Sequence, residues 1–233
     1  MAYALVGTIG TAVQGAASAA VSPTFGTGES RTLGNLLICF VAVSGIATLP
    51  VTPSGWSIGK QQAGTSCSAT IYYRLAAGAD TAPTIAAITS GVIAAQLAEF
   101  SGNLAASPLD QTGSASGTGS PLTGTFAAVD ALSGELIVMT GADLRSIARA
   151  SNDTWTSNNA TVTAAGNNNG ATSVNHYSNG YGVTTAKASA DTAVMTLSTT
   201  NNITGLVLAA VSFKVIPPAG PSVQQMAGFF MFT

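Results

Sequence analysis

The feature that most limits this chain is a two-residue period that recurs along it. In Gly205 to Ile216, Val207, Ala209, Val211, Phe213 and Val215 fall on one side of an extended backbone, with Ser212 and Lys214 on the other. A half-buried strand demands that alternation, because successive side chains point to opposite faces. Gly91 to Phe100 repeats it: Val92, Ala94, Ala98 and Phe100 share the apolar side, Gln96 interrupts them, and Glu99 lies opposite. Leu36 to Val43 is apolar on both faces, which predicts a strand covered on both sides or placed at an interface. The apolar stretch Leu36 to Val51 is broken by Ser44, Gly45 and Pro50, so it falls short of the ~18 to 20 residues of a membrane span and reads as two strands and a turn.

Clusters of Gly, Ser, Thr, Asn and Pro separate these runs at Ser22 to Glu29, Thr52 to Gly55, Ser101 to Gly124 and Ser157 to Gly170. Turn chemistry at short intervals predicts an all-β fold, a sandwich or barrel. Asn179-Gly180, between Ser173 to Ser178 and Tyr181 to Ala186, predicts a two-residue hairpin turn, since both central positions of a type I′ turn need positive φ. Ala142 to Ala150, with Leu144, Ile147 and Ala148 at helical spacing, predicts a short helix.

The chain also echoes itself. Gly34-Asn-Leu-Leu-Ile matches Gly134-Glu-Leu-Ile-Val, and Trp56 matches Trp155. The Tyr73 region aligns loosely with Tyr177, and Gly91 to Phe100 with Gly205 to Phe213. Two related strand sets follow, residues 1–112 and 125–216, parted by the Ser, Gly and Thr-rich stretch Gly113 to Gly124. With few aromatics, neither set looks self-sufficient, so residues 1–216 are expected to form one antiparallel β-sandwich in which the halves interleave as its two sheets.

Composition narrows the function. Hydrophobic residues make up 46% of the 233 residues and charged residues only 7%, where an ordinary domain carries about 25%. Disorder and coiled coils need far more charge. Seven Lys and Arg against nine Asp and Glu give no basic patch for nucleic acid. A chain this long buries about 70% of its unfolded surface and needs no covalent staples, so Cys39 and Cys67 are expected as buried free thiols. The N-terminus Met-Ala-Tyr-Ala-Leu-Val-Gly lacks the charged lead and cleavage site of a secretory signal, which predicts synthesis and assembly in a cytoplasm.

Catalytic signatures are sparse. Gly55-Trp-Ser-Ile-Gly59-Lys60 has a superficial likeness to a phosphate-binding loop, but one residue too few separates the glycines and Gln61 stands where Ser or Thr would hold magnesium. His176 is the sole histidine, so no paired-histidine zinc site forms, and a triad built on it lacks a nucleophile elbow. Asp80, Asp110, Asp130, Asp143, Asp153 and Asp191 fall in or beside predicted turns, where Asp caps backbone amides. No metal, cofactor or enzymatic activity is expected.

Two features bear on binding. The Asn and Gly-rich tract Ser151 to Gly182 carries Trp155, His176, Tyr177 and Tyr181. Trp155, Tyr177 and Tyr181 could stack on sugars from an exposed face, but because Trp155 mirrors Trp56 the plainer expectation is a core or rim residue beside a solvated loop. Residues 217–233 begin with a stiff Pro-Pro-Ala-Gly-Pro spacer and end with Met226, Phe229, Phe230, Met231 and Phe232. Large apolar groups of this kind gain roughly 1.5 to 3 kcal/mol each on burial, so this segment is expected to act as an assembly arm that docks on a neighbouring subunit.

The succession Leu33-Gly-Asn-Leu-Leu-Ile-Cys-Phe-Val-Ala, Thr52-Pro-Ser-Gly-Trp56, Thr70-Ile-Tyr-Tyr-Arg-Leu-Ala-Ala-Gly-Ala-Asp80 and Gln96-Leu-Ala-Glu-Phe-Ser-Gly102 resembles structural proteins of tailed bacteriophages. The likeness is best over residues 1–110, and Thr154-Trp155 replaces the full Pro-Ser-Gly-Trp in the second half. It implies a jelly-roll-like β-sandwich on a virion, either decorating and cementing the capsid's outer surface or belonging to the tail. The partners implied are the major capsid protein or other virion proteins and further copies of the chain, a homotrimer suiting an icosahedral lattice. The alternative is a tail-associated adhesin that recognises host surface glycans.

Overall fold

The structure, a computed structural model, describes residues 2–102, 104–126, 134–145, 152–167, 175–185, 189–198 and 202–216. They hold fourteen strands and no helix: β1 Ala4–Leu5, β2 Val13–Gln14, β3 Leu36–Ser44, β4 Ser57–Ala63, β5 Cys67–Leu75, β6 Val92–Ser101, β7 Leu104–Gly117, β8 Leu122–Thr125, β9 Leu136–Arg145, β10 Thr154–Thr156, β11 Ala160–Asn167, β12 Asn175–Thr184, β13 Thr192–Thr196 and β14 Ile203–Val215. All pairings between them are antiparallel. A first sheet runs β1-β6-β3-β5-β4 with β2 also on β6, a second runs β7-β14-β9-β12-β11, and a third runs β10-β13-β8.

The fold is an all-β antiparallel sandwich of the first two sheets. The strand sets supply the two facing sheets, the first β1 to β6 and the second β9, β11, β12 and β14 together with β7. The boundary also falls earlier than the Gly113 to Gly124 stretch, because β7 pairs with β14 along its length and serves as an edge of the second sheet. Leu36, Ile38, Phe40, Ile71, Ala98 and Phe100 of the first sheet pack on Leu136, Val138, Val211 and Phe213 of the second. At the other end Ser44 Oγ donates to the Asp143 carbonyl at 3.2 Å, and Cys67 Sγ to the Gly205 carbonyl at 3.6 Å. β3 and β9 therefore run in the same direction across the interior.

The central four strands have one order in both sheets, β6-β3-β5-β4 and β14-β9-β12-β11, so each strand of the first has a counterpart in the second. Register agrees as well as order. Leu36 pairs with Phe100 and Leu75, as Leu136 pairs with Phe213 and Val183. A bulge breaks β4 between Ile58 and Lys60 opposite Tyr72 and Ile71, and β11 between Ala164 and Gly166 opposite the corresponding Gly180 and Asn179. Counterparts in this register are Tyr73 and Tyr181, not Tyr73 and Tyr177. The two tyrosines make matching contacts across the sandwich: Tyr73 meets Phe213 edge-on at 5.2 Å and 64°, and Tyr181 meets Phe100 at 5.3 Å and 63°. A twofold rotation about a line between the sheets, along β3 and β9, relates the two sets.

Both outer faces are covered, which is why β3 is buried along all nine residues. Over the first sheet lie loop residues Val21, Trp56, Ala76, Ile85 and Ile88, packed on Leu37, Cys39, Val41, Val43 and Tyr72. Over the second lies the third sheet, whose Trp155, Ala193 and Met195 pack on Ile137, Met139, Leu206 and Leu208. The two tryptophans are counterparts in this sense as well, one in each outer layer.

Candidate functional site

The residues singled out for binding take interior places. Trp155 and Tyr177 are each 6% exposed. Trp155 Nε1 donates to Ser178 Oγ. Tyr177 packs among Ala42, Ala69, Ala94, Ala142 and Val207 between the sheets, and half-buried Tyr181 is held against Phe100. No free ring face is left on Trp155 or Tyr177 for a sugar, which corrects the stacking surface and leaves the core reading. Met226, Phe229, Phe230, Met231 and Phe232 lie outside the described residues.

The expected hairpin at Asn179-Gly180 is instead the middle of β12, flanked on both sides by β9 and β11. A Cβ on Gly180 would stand 3.0 Å from Trp155 Cγ, so the glycine makes room for the indole. Asn179 faces the interior, where it accepts a hydrogen bond from Thr140 Oγ1 at 2.6 Å and donates to Gln96 Oε1 at 2.9 Å. Gln96 Nε2 in turn donates to the carbonyls of Gly10, at 2.8 Å, and Ala165, at 3.2 Å. The polar interruption in β6 is thus one end of a satisfied chain of side-chain amides that links both sheets and the N-terminal segment.

The short helix expected over Ala142 to Ala150 is likewise overturned where it is described. Residues 142–145 continue β9, held by β12 and β14 on either side, and residues 146–150 lie outside the described residues. Asp143 accordingly sits within a strand. It holds Arg145 in a two-pronged pair at 2.8 and 2.9 Å, with Asp153 3.6 Å from the same guanidinium and His176 opposite Asp143 in the ladder. Burial pulls the Arg145 pKa down, but the bonds to Asp143 and the charges of both aspartates outweigh it and hold the group above its ordinary value. His176, Ser178 and Asp143, the residue types of a triad, are all enclosed at 1% exposure or less.

A second carboxylate group fastens the N-terminal segment. Glu99 accepts from the backbone N–H of Arg31 at 2.8 Å and of Thr32 at 3.0 Å, and from Asn35 Nδ2 at 2.6 Å. Glu29 accepts from the N–H of Glu99 at 3.0 Å and of Gly26 at 2.6 Å. Burial pushes the Glu29 pKa up to about 7 despite those two donors, with the neighbouring Glu99 adding to the rise and Arg31 opposing it. Asp80 behaves as its turn position predicts, accepting from Ala77 and Gly78 and pairing with Arg74 at 2.7 Å. Cys39 and Cys67 are buried free thiols, and burial raises both, Cys67 to about 12.

Together these clusters bury much of the charge among the described residues. Glu29, Asp80, Glu99, Glu135, Asp143, Asp153 and Asp191, seven of its nine acidic residues, are buried, as is Arg145. Asp110, Arg31, Lys60, Arg74 and Lys214 are half-buried, and no charged residue among those described is fully exposed. What faces solvent is Ser, Thr, Asn, Ala and Gly, with Leu33, Leu49, Val51, Ile58 and Ile216 as the large apolar exceptions. Two surface depressions stand out. One, of about 430 Å³, lies beside Ser57, Tyr73, Arg74 and Ser107. The other, of about 340 Å³, is a groove between residues 46–51 and 86–89, lined by apolar side chains together with Thr48 and Thr89.

Fold and surface together define an all-β sandwich of two like sheets whose described exterior carries few charges. Compared with models of known protein families, with curated proteins and with solved structures, the chain matches none.

Proposed function

We propose that this chain is a structural protein of a tailed-bacteriophage virion, a decoration or cement protein that binds the outer surface of the capsid as a homo-oligomer. The observation that supports the proposal is the low charge of the described exterior. An ordinary soluble surface is about 25–35% charged, and that charge keeps copies apart. Here most of the described charges are buried, so copies packed side by side on a lattice meet little like-charge repulsion and strip water from few ions. The sequence likeness over residues 1–110 points the same way. The role drawn is mechanical: oligomers cover junctions between major capsid subunits and hold the shell through apolar and backbone contacts.

Counting copies in purified particles by quantitative mass spectrometry tests this reading. Copies on the order of hundreds are expected if symmetry-related sites on a lattice are filled. A few to a few dozen copies would place the protein in the tail, and its absence from particles would end the virion reading altogether.

A further inference from the structure

Going beyond that reading, we propose that the open edge of β11, residues 160–164, pairs antiparallel with the same edge of a second copy, so that the second sheets of two molecules join across a twofold axis. An edge strand offers unpaired backbone donors and acceptors, and natural sheets guard it with short strands, proline, charge or bulges. Three edges of this sandwich carry such guards. β1 and β2 are two residues each, β4 has Lys60 beside its bulge, and β7 has Pro108 and Asp110. β11 carries neither charge nor proline, and its bulge comes only after Ala164. Among the described residues no strand pairs with its far side. This stretch is also where the two sheets differ. Thr163 pairs with Tyr181 as Ser57 pairs with Tyr73. β4 begins at Ser57, after a turn closed by the Trp56 N–H on the Pro53 carbonyl at 3.1 Å, whereas β11 already begins at Ala160.

Backbone direction selects the register, and the register selects the partner. The Thr185 N–H donates to the Asn159 carbonyl at 3.0 Å, one step beyond the pairing of Ala160 with Thr184, so Asn159, Thr161 and Thr163 turn their backbone groups towards β12. Alternation turns those of Ala160, Val162 and Ala164 outwards. With Val162 opposite Val162 of a second copy, Ala160 falls opposite Ala164, and the outward residues exchange about six main-chain bonds. Thr161 then falls opposite Thr163 in both directions, a cross-strand pair suited to close contact. Ala160 and Val162 pack on the cluster that holds Trp155, while Thr161, Thr163 and Ala164 are exposed. Small residue meets small residue and no charge opposes itself, because this register reads the same from either copy. Such a contact is isologous and closes at two molecules. Five residues a side bury little area, so the pairing is reversible and depends on concentration.

The test uses the full-length chain, with molar mass read by light scattering at concentrations up to about 1 mM. The parent chain is expected to pass from monomer to dimer. One variant carries Thr161→Lys with Thr163→Lys and another Thr161→Glu with Thr163→Glu, all at exposed positions. Each sets like charges opposite across the axis and should dissociate at least about tenfold more readily, with an unchanged unfolding midpoint. Mixed in equal amounts, the two variants should recover the dimer, because lysine then faces glutamate at every site. Amide hydrogen exchange of the parent chain checks the same edge without any substitution: the N–H groups of Ala160, Val162 and Ala164 should be protected at high concentration and exchange freely on dilution. A parent chain that stays monomeric, an association that survives both variants, a mixture that stays monomeric, or exchange at these three groups that ignores concentration overturns the edge pairing. Copy number in particles is untouched by these outcomes and decides the virion reading by itself.

Discussion

The two sheets share strand order, register, a bulge and a tyrosine-to-phenylalanine contact, yet they differ in what fills equivalent places. Phe40, Ile71 and Val43 of the first sheet correspond to Thr140, Asn179 and Asp143 of the second. The first sheet uses apolar side chains at these positions and is covered by loops. The second uses a hydrogen-bonded chain and a buried ion pair, and is covered by a further sheet. Geometry agrees while chemistry differs, which teaches that the shared parts are those that fix the approach of one sheet to the other. The divergent parts are free so long as each polar group finds its partner.

The largest expected effect comes from removing the buried cation of the second sheet. Arg145→Met leaves Asp143 and Asp153 buried without their cation and should cost about 3–5 kcal/mol in urea unfolding. A loss below about 1 kcal/mol would show that the buried cluster is not stabilised as its geometry indicates. Next are the matched rings. Phe100→Ala and Phe213→Ala should each cost about 3–5 kcal/mol, and by nearly equal amounts. Unequal losses, compared in one denaturant series, would break the equivalence of the two contacts.

A smaller effect tests the polar difference directly. Gln96→Leu strands the Asn179 amide and the carbonyls of Gly10 and Ala165, at a cost of about 1–3 kcal/mol. Adding Asn179→Ile, the residue type that the first sheet has at Ile71, should recover part of that loss, since removing both partners of a hydrogen bond costs less than removing one. A double-variant cycle that proves additive would sink this account of the pair.

The smallest effect is on pH. Glu29 has its pKa raised in the folded chain from an ordinary 4.5 to about 7, so folding favours the protonated carboxyl. Its contribution is fully present below pH 4.5 and is lost as the pH rises through about 7, by on the order of 1 kcal/mol once partial solvation is allowed for. Relative to Glu29→Gln, the parent chain should lose stability across that window. Parallel profiles for the two proteins would overturn the assignment.

Much of the fold was legible because period-two patterning is local. The alternation of β6 and β14 and the two-faced apolarity of β3 follow from consecutive residues, and Trp56 and Trp155 mark equivalent outer layers. The misreadings share one cause. Asn179-Gly180 carries the local chemistry of a turn, but its glycine answers to an indole from Trp155 and its amide to Gln96. Leu144 has helical companions in sequence, yet β12 and β14 hydrogen-bond its segment from both sides.

By itself, then, the sequence determined that the chain is all-β, built on a repeated strand set and poor in charge, because residue type and spacing act on the nearest backbone. Only the tertiary structure decided that β7 would join the second sheet, that Tyr181 would answer Tyr73, and that seven carboxylates would be buried. Those outcomes depend on partners far apart in the chain, and a buried charge or amide is tolerable only when such partners arrive together.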